Sequence, residues 1–474
     1  MKPPMLLRLL PRLCLLASAG LLGACASLSP DSGFSQLQTS LHEHLDQDLA
    51  WARDDEQRQA LKARVDALLA RPLSADDAVQ VALLNNRGLQ AAFAELAVAD
   101  ADRVQADRLP NPRLSMLRAS QASTGDVKLE QVLGFDLLAL VTRPQVSDIE
   151  RRRFEQVRRQ TGLAVLTLAS DTRQAYYAAV AAEQSAGYAE QVMQAAQAGA
   201  DLGRLLTEAG NWSRLSQAQE EGFLNESALA LARAREAAAS ARERLLRLLG
   251  LSGPPQPLAL PARLPDLPDA LPARPDVEQT AMARRLDLQA TRLQVEALAA
   301  RLGLSRTTRF INVLEFGPAR ELEGAPGSGA KTGFQVSFEL PLFDWGDARV
   351  AKAEALYMQA VERAAQRAVE ARSEVRESDQ VRRSRYEIAR RYRDEVLPLK
   401  RRIGEEKLLR YNGMLLSPFE LLADAREQAA SVRDSIEALR DFWIAQARLD
   451  MSLLGPAGPA PAPGTDAGAP DPLP

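Results

Sequence analysis

The chain has 474 residues, of which 46% are hydrophobic and 26% are charged, and its formal net charge is −3 at pH 7. Proteins that bind nucleic acids need a basic face, so this balance argues against a nucleic-acid partner. After residue 28 no apolar run reaches the roughly 18–20 residues of a membrane helix, so a chain that crosses a bilayer must use strands in a closed barrel.

Residues 1–24 have the pattern of a secretory signal peptide, with a basic start, an apolar run and small residues at its end. Leu22-Gly-Ala-Cys25 resembles the processing motif of bacterial lipoproteins, which implies cleavage before Cys25 and acylation of that cysteine. The alternative is an ordinary signal peptide that happens to contain a cysteine. Ala26 and Ser27 follow, in place of the aspartate that tends to hold lipoproteins at the inner membrane, so the outer membrane is favoured.

Residues 25–72 are predicted to be a lipid-anchored segment, helical in part around 54–69. His42-Glu-His44 is the only histidine cluster. It differs from the His-Glu-x-x-His zinc motif, and two histidines this close on a helix point in different directions, so a solvated pair is favoured over a metal site. We find no phosphate loop and no nucleophile setting, so no catalytic residue, cofactor or enzymatic activity is predicted.

Residues 73–250 are predicted to form a first structural unit. Ser74 and Asp77 begin a helix in a pattern close to a capping box, and Gly88 is expected to break it. A second helix then ends at Pro110 and Pro112. The elements predicted after it are strands at Arg113–Arg118 and Leu129–Leu137, a helix over 146–209, a turn at Gly210 and a helix over 213–249.

Residues 251–276 are proline-rich and predict an extended linker, and residues 277–455 repeat the first unit. The elements predicted there are a helix over 277–302, a strand at Arg309–Phe316, a glycine-rich loop at Gly317–Gly329, a strand at Phe334–Leu340, a helix over 347–411 disturbed at Pro398, and a helix over 418–453. The tail 456–474 is rich in proline and alanine and is predicted to be disordered.

The two units match at a nearly constant spacing, which indicates a duplication. Gly210 and Gly413 lie 203 residues apart, as do Phe135-Asp-Leu and Phe338-Glu-Leu. The fold class is therefore mainly α with a small β part, built from a duplicated helix–hairpin–helix unit. Helices of about 60 residues cannot wrap around a globular core, so we expect long antiparallel coiled-coil neighbours.

Four strands per chain cannot close a membrane barrel, because bacterial barrels need at least about eight. Three copies would supply twelve strands, which predicts a homotrimer. Phe135, Phe334, Phe338 and Leu340 would face outer-membrane lipid, while the polar residues between them face water. The alternative is a small soluble β-subdomain that caps a helical bundle.

Several motifs, in their order, resemble those of the lipidated branch of the TolC-type outer-membrane efflux protein family. They are Leu73-Ser-Ala-Asp-Asp-Ala-Val, Leu109-Pro-Asn-Pro, Leu340-Pro-Leu-Phe-Asp, Arg410-Tyr-Asn-Gly and Glu420-Leu-Leu-Ala-Asp-Ala-Arg. The resemblance implies a trimer with a twelve-stranded barrel and a twelve-helix periplasmic tunnel. It also implies the role of exit duct in a tripartite pump, with an inner-membrane transporter and a periplasmic adaptor as partners.

The resemblance places a periplasmic gate near the second helix–helix turn, at Tyr411 and Asp424. Glu420 lies one helical turn from Asp424, so three copies would form a ring of carboxylates that favours cations. A solvated helix face is the alternative for both acids. The chain departs from the family here: the second turn carries about two extra residues, no arginine follows Gly413, and Ser216 stands where some members have aspartate.

The adaptor is expected to dock on the two turns, at Gly210, Trp212, Gly413 and Phe419. The alternative for Trp212 and Phe419 is packing into a neighbouring helix. Lipidation favours small-molecule or metal-ion export. Two other functions stay open: a duct for type I protein secretion, and a structural periplasmic coiled-coil lipoprotein without a pore.

Overall fold

A computed structural model describes residues 27–120, 126–252, 258–324 and 329–458. The signal peptide, Cys25 and the tail from residue 459 lie outside these residues, so their cleavage, acylation and disorder stay predictions. The described residues form two compact units. The strand unit takes them from Met1–Leu37, Phe93–Thr161 and Leu288–Arg367, and the hairpin unit from Gln38–Ala92, Gly162–Asp287 and Ala368–Pro474.

Helices dominate both halves of the described chain. The elements of the first half are α1 (Phe34–His42), α2 (Asp55–Leu69), α3 (Ala75–Asn85), α4 (Arg87–Ala106), β1 (Arg113–Ser120), β2 (Val127–Asp136), α5 (Leu137–Glu208) and α6 (Arg214–Leu248). Those of the second half are α7 (Val277–Arg284), α8 (Leu286–Thr307), β3 (Leu314–Gly324), β4 (Lys331–Phe338), α9 (Asp347–Arg391), a π-turn (Tyr392–Val396), α10 (Leu397–Asn412) and α11 (Pro418–Ser452). The mainly helical fold with few strands is therefore confirmed.

The strands of the strand unit form one antiparallel sheet in the order β1-β2-β3-β4. The register places Phe135 opposite Phe316 and Phe334 opposite Pro318, so these side chains share one face. The apolar side chains of that face are Leu114, Met116, Leu129, Leu133, Phe135, Leu314, Phe316, Leu322, Phe334, Val336 and Phe338. The other face carries ion pairs, among them Lys128–Glu321 and Arg113–Glu315, so the sheet is amphipathic.

The predicted loop at Gly317–Gly329 is wrong, because β3 continues to Gly324. Gly317 and Pro318 suggested a loop, yet the ladder to β2 simply skips these two residues. A Cβ on Gly317 would lie 2.0 Å from the carbonyl oxygen of Leu133, so only glycine permits this approach of the two strands.

The assignment of Leu340 to a strand is also wrong, because β4 ends at Phe338. Pro341 has no N–H to donate to a strand ladder, which favours the end of regular pairing just before it. The N–H of Leu342 instead donates to the carbonyl of Leu340 at 2.8 Å and closes a tight turn. Leu340 remains an exposed apolar residue beside the sheet.

Two predicted helices of the hairpin unit begin or break at other residues than expected. The capping box of Ser74 and Asp77 is present, but the helix breaks at Asn86, and Gly88 lies inside α4. The predicted helix 277–302 breaks at Arg285. Both break residues cap another helix: Asn86 Nδ2 donates to the carbonyl of Leu248, and the Arg285 guanidinium donates to that of Ser452.

The described part of the proline-rich linker is packed onto helices of the hairpin unit. Leu258, Leu264 and Leu267 are buried. Proline carbonyls in this stretch accept hydrogen bonds from Tyr386 Oη and from Trp443 Nε1. We call residues 258–276 the strap.

Candidate functional site

The first hairpin consists of α5 and α6, and its turn depends on a glycine in the left-handed region. Gly210 has φ +76°. Its N–H donates to Thr207, and the N–H of Asn211 donates to Leu206, so the last carbonyls of α5 are satisfied. The hydroxyl of Ser213 then caps α6.

Trp212 follows this turn and folds back onto α5. A Cβ built on Gly203 would lie 3.0 Å from Cζ3 of the indole, so the absence of a side chain at Gly203 makes room for the ring. The indole is partly buried. Of the two interpretations of Trp212, this geometry favours packing against the helix, and adaptor docking at Trp212 stays a prediction.

The second hairpin consists of α9, the π-turn, α10 and α11, and its turn uses a different residue for the left-handed position. Gly413 has φ −81°, whereas Met414 has φ +60°. The N–H of Met414 donates to Tyr411, and the N–H of Leu415 donates to Arg410. Gly413 therefore does not occupy the left-handed position that Gly210 occupies in the first turn. Phe419 lies in the first turn of α11, and its side chain is outside the described part of the structure.

The two turns have the same length, since residues 209–213 join the helices of the first hairpin and residues 413–417 those of the second. The extra residues of the second turn relative to the family stay a prediction. Matching hydrogen bonds pair Gly210 with Met414, and the capping residue Ser213 with Ser417, each 204 residues apart. The same spacing pairs Glu220 with Asp424. The same hydrogen bonds thus close both turns at a spacing of 204 residues, which is one more than the 203 residues between Gly210 and Gly413.

The two predicted gate carboxylates are one helical turn apart but lie in different surroundings. Glu420 is exposed and accepts from the backbone N–H of Ser417 at 3.1 Å in a capping box. That N–H, and then the Ser417 hydroxyl, lower the pKa of Glu420. Asp424 is only 4% exposed and accepts from Lys407 Nζ at 2.8 Å. Tyr411 is partly exposed, and the gating roles of all three residues stay predictions.

An ion pair that the sequence did not predict joins the two hairpins. Arg426 Nη2 in α11 lies 2.8 Å from Oε1 of Glu220 in α6, and the guanidinium lies 4.1 Å above the ring of Phe223. Glu220 is 2% exposed, so its charge depends on this partner. The spacing of 204 from Asp424 would have pointed to Glu220.

A cavity of about 230 Å³ lies beside this ion pair. Its walls are the mainly apolar side chains and small residues of three helices, namely Tyr188, Gln191, Val192, Ala195, Ala196, Gly199, Phe223, Leu422, Ala425 and Ala429, together with Glu220 and Arg426. Within the described residues, Arg426 Nε is buried without a hydrogen-bond acceptor. The junction of the hairpins is therefore loosely packed where its charges meet.

The N-terminal histidines show no metal-site geometry. Burial and the nearby charge of Arg284 lower the pKa of His44. Within the described ranges, no group of three potential ligands from histidine, cysteine, aspartate and glutamate is placed to hold a metal ion. None of the described helices is both long and apolar enough to span a bilayer.

Comparison with solved structures identifies the fold. OprN, an outer-membrane channel, superposes with a TM-score of 0.68 at 20% identity, over 92% of this chain and 97% of that one. The CmeC outer-membrane channel of Campylobacter jejuni gives 0.67 at 18% identity, over 80% and 85% of the two chains. The open state of the Neisseria gonorrhoeae MtrE outer-membrane channel gives 0.64 at 18% identity, over 80% and 89%. No protein-family model and no curated protein sequence matches the chain.

The chain therefore has the fold of the TolC-type outer-membrane channels, as the sequence motifs predicted. At identities of 18–20%, these superpositions establish the fold. The assembly, the transported substrate and the partners have to be argued from the residues of this chain.

Proposed function

We propose that this protein is the outer-membrane exit duct of a tripartite efflux pump, and that it acts as a homotrimer. The amphipathic sheet carries the proposal. Its apolar face is exposed in the single chain, with Phe334 72% and Phe338 61% accessible, and β1 and β4 each have one unpaired edge among the described strands. Such a face and such edges need lipid and neighbouring strands to cover them. Three copies joined at these edges form a twelve-stranded barrel.

The long hairpins would continue this barrel as a helical tunnel in the periplasm. Their turns carry exposed apolar side chains, which favours a protein partner there, and we assign that part to a periplasmic adaptor bound to an inner-membrane transporter. These side chains are Leu205, Leu215, Leu409, Met414 and Leu415. Drugs or metal ions would pass from the transporter through the duct. Acylation of Cys25 would anchor the chain in the outer membrane.

The duct would close where the hairpins meet, near the turns. Asp424 and Tyr411 keep the gating role that the family resemblance implies, and Glu420 adds charge at the mouth. We add the Arg426–Glu220 pair to this gate, because it joins the second hairpin to the first. Loss of either partner leaves a charge that is costly to bury, which pushes the hairpins apart.

The test is electrical and uses the full-length protein purified in detergent. The proposal predicts a trimer in solution and ion-conducting steps in planar bilayers. Arg426→Leu is expected to raise the conductance, while the exposed-pair variant Arg235→Leu, whose ion pair with Glu190 lies within the first hairpin, leaves it unchanged. A monomer without conductance would refute the duct and favour a structural coiled-coil lipoprotein.

A growth test then assigns the cargo. A deletion strain is compared with its parent on antibiotics, dyes, detergents and toxic metal ions. Sensitivity to hydrophobic drugs indicates a multidrug pump, and sensitivity to copper, silver, zinc or cadmium alone indicates metal export. A strain that tolerates every compound but fails to secrete a protein would shift the assignment to type I secretion.

A further inference from the structure

The apolar face of the sheet carries two arginines, Arg118 in β1 and Arg320 in β3. The register pairs Arg118 with Leu129, which belongs to the apolar face. Arg320 lies opposite Thr332 in β4, two residues from Phe334, and side chains two residues apart on a strand share a face. Both arginines are exposed. Two cations therefore stand on the face that the proposed barrel turns towards lipid.

The basic residues of the opposite face all have a carboxylate partner, whereas these two arginines have none. Arg113, Lys128 and Lys331 each lie 2.8–3.1 Å from a glutamate oxygen of the same sheet. Within the described part of the chain, Arg118 and Arg320 form neither an ion pair nor a side-chain hydrogen bond. A cation that faces a membrane is costly unless it reaches the headgroups or pairs with an anion.

The protein supplies no anion to the apolar face. None of the side chains that the four described strands place there is acidic. The connections 121–125 and 325–328 contain no aspartate or glutamate in their sequence. In the proposed trimer β1 of one copy meets β4 of the next, and β4 contributes only uncharged side chains to this face, namely Thr332, Phe334, Val336 and Phe338. A neutralising anion therefore has to come from the membrane.

The arginines lie towards the end of the sheet that is far from the helices. Helices α4 and α5 join β1 and β2 at one end of the sheet, and α8 and α9 join β3 and β4 at that same end. The row of Thr332 and Arg320 is six residues, about 20 Å along the strand, from the row of Phe338. Arg118 lies one row further out. In the proposed duct the helices lie in the periplasm, so the arginines lie at the outer leaflet.

The patch has the chemistry of a headgroup site. Strands β1 and β3 are two strand spacings apart and the arginines are offset by two residues, so their Cα atoms are about 12 Å apart. Gln131 and Thr332 flank Arg320 with hydrogen-bonding groups, while Leu129 beside Arg118 offers apolar surface to acyl chains. Guanidinium groups bind phosphate oxygens through paired hydrogen bonds. An amine in the headgroup would find no carboxylate here.

We propose that Arg118 and Arg320 form a binding site for an outer-leaflet lipid whose headgroup carries at least two phosphates and no free amine. The inference rests on the proposed function, which places this face of the sheet in lipid. Three copies would carry three such sites around the outer rim of the barrel. Bonds from both arginines to the bound phosphates would fix the depth of the barrel in the membrane.

The experiment measures lipid binding to the full-length trimer in a non-ionic detergent. Lipid A, a lipid with two phosphates, is titrated in mixed micelles, with phosphatidylcholine and inorganic phosphate as comparison ligands. Arg118→Gln with Arg320→Gln removes the site. Arg113→Gln with Lys331→Gln is the matched control, because it removes two charges from the other face of the same sheet. Size-exclusion chromatography first establishes that each variant is a trimer.

The site predicts that the parent prefers lipid A to phosphatidylcholine, and that loss of both arginines weakens lipid A binding by about thirtyfold. The control variant should bind lipid A like the parent. Equal binding by the two double variants would overturn the site. Displacement of lipid A by millimolar inorganic phosphate would also overturn it, because the patch would then take free phosphate in place of a lipid.

Two further measurements keep the site testable if the double variant does not assemble. Arg118→Lys with Arg320→Lys keeps both charges and should bind lipid A with intermediate affinity, because an ammonium group meets phosphate as a point charge. Lipid A should also raise the unfolding temperature of the parent more than phosphatidylcholine does, and an equal rise would contradict the site. A trimer that binds lipid A without conducting ions would refute the duct alone. A conducting trimer without preference for lipid A would refute the site alone.

Discussion

Near its turn, each hairpin carries one buried carboxylate that forms an ion pair. Asp424 is held inside the second hairpin by Lys407, whereas Glu220, its counterpart in the first, reaches across to Arg426. The difference follows from position 203, where glycine replaces the lysine found at 407 and the ring of Trp212 fills the space. The first hairpin is therefore closed by apolar packing, and its carboxylate is left to pair with the other hairpin.

Lys407→Met should destabilise the second hairpin by about 2–3 kcal/mol. It leaves Asp424 buried without a partner, and the loss is below that of a fully buried pair because Lys407 is one-third exposed. Lys400→Met is the control, since its partner Glu427 is 66% exposed and water screens the pair, so its loss should change stability little. Thermal unfolding in detergent compares the two. Equal effects would mean that burial of Asp424 does not matter.

The left-handed positions predict opposite effects for the two glycines. Gly210→Ala should destabilise its turn by about 1–2 kcal/mol, because φ +76° is costly for any residue with a Cβ. Gly413→Ala should be neutral or stabilising, because φ is −81° and no atom lies within 3.4 Å of the added carbon. Hydrogen exchange of the amides in each turn measures the effect. Faster exchange around position 413 in the Gly413→Ala variant would show that the second turn does require a glycine at this position.

At the scale of elements, the capping of α11 predicts a pH response that α6 lacks. The pKa of Glu420 is lowered in the folded protein, so its capping contribution is complete above the ordinary carboxyl pKa of about 4.5. It is lost as the pH falls through the lowered value. Ser216 occupies the equivalent place in the first hairpin and does not titrate.

Acidification from about pH 7 to pH 3 should therefore increase exchange at residues 414–420 more than at 210–216, after correction for the intrinsic pH dependence. Glu420→Gln, which keeps an acceptor oxygen, should remove the difference between the turns. A difference that persists in this variant would assign the response to another group.

How well the sequence predicted an element depended on whether its signal was local. The cap at Ser74 and the disturbance at Pro398 were predicted correctly, because a hydroxyl and a missing N–H act within one turn. Strand β3 was predicted at Arg309–Phe316 and instead spans Leu314–Gly324, because the glycines from Gly317 onwards indicate a loop unless a neighbouring strand is known to approach. Similarly, Gly413 was assigned by its residue type, while backbone geometry gives the left-handed position to Met414.

The candidate site was only partly predictable for the same reason. The spacing of the repeats located both turns, and the family resemblance pointed to Asp424. The Arg426–Glu220 pair joins residues 206 positions apart, and no local pattern marks it. The spacing between the repeats changes from 203 at the strands to 204 at the turns, and this change hid Glu220 as the counterpart of Asp424.

At the scale of the whole molecule, the proposed barrel assigns each face of the sheet to a different solvent. Val336 and Gln335 are neighbours in β4, and they point to opposite faces. Val336→Lys would place a charge towards lipid, at a cost of about 2–4 kcal/mol near the middle of the bilayer. Gln335→Lys would place the same charge towards water, beside Ser337, at little cost.

The amount of trimer in the outer-membrane fraction should therefore fall strongly for Val336→Lys and stay near that of the parent for Gln335→Lys. Equal loss of trimer in both variants would indicate that both faces of the sheet are buried in protein. No loss in either variant would indicate a sheet whose faces are both exposed to water. Either result would contradict the barrel and favour a soluble cap on the helical bundle.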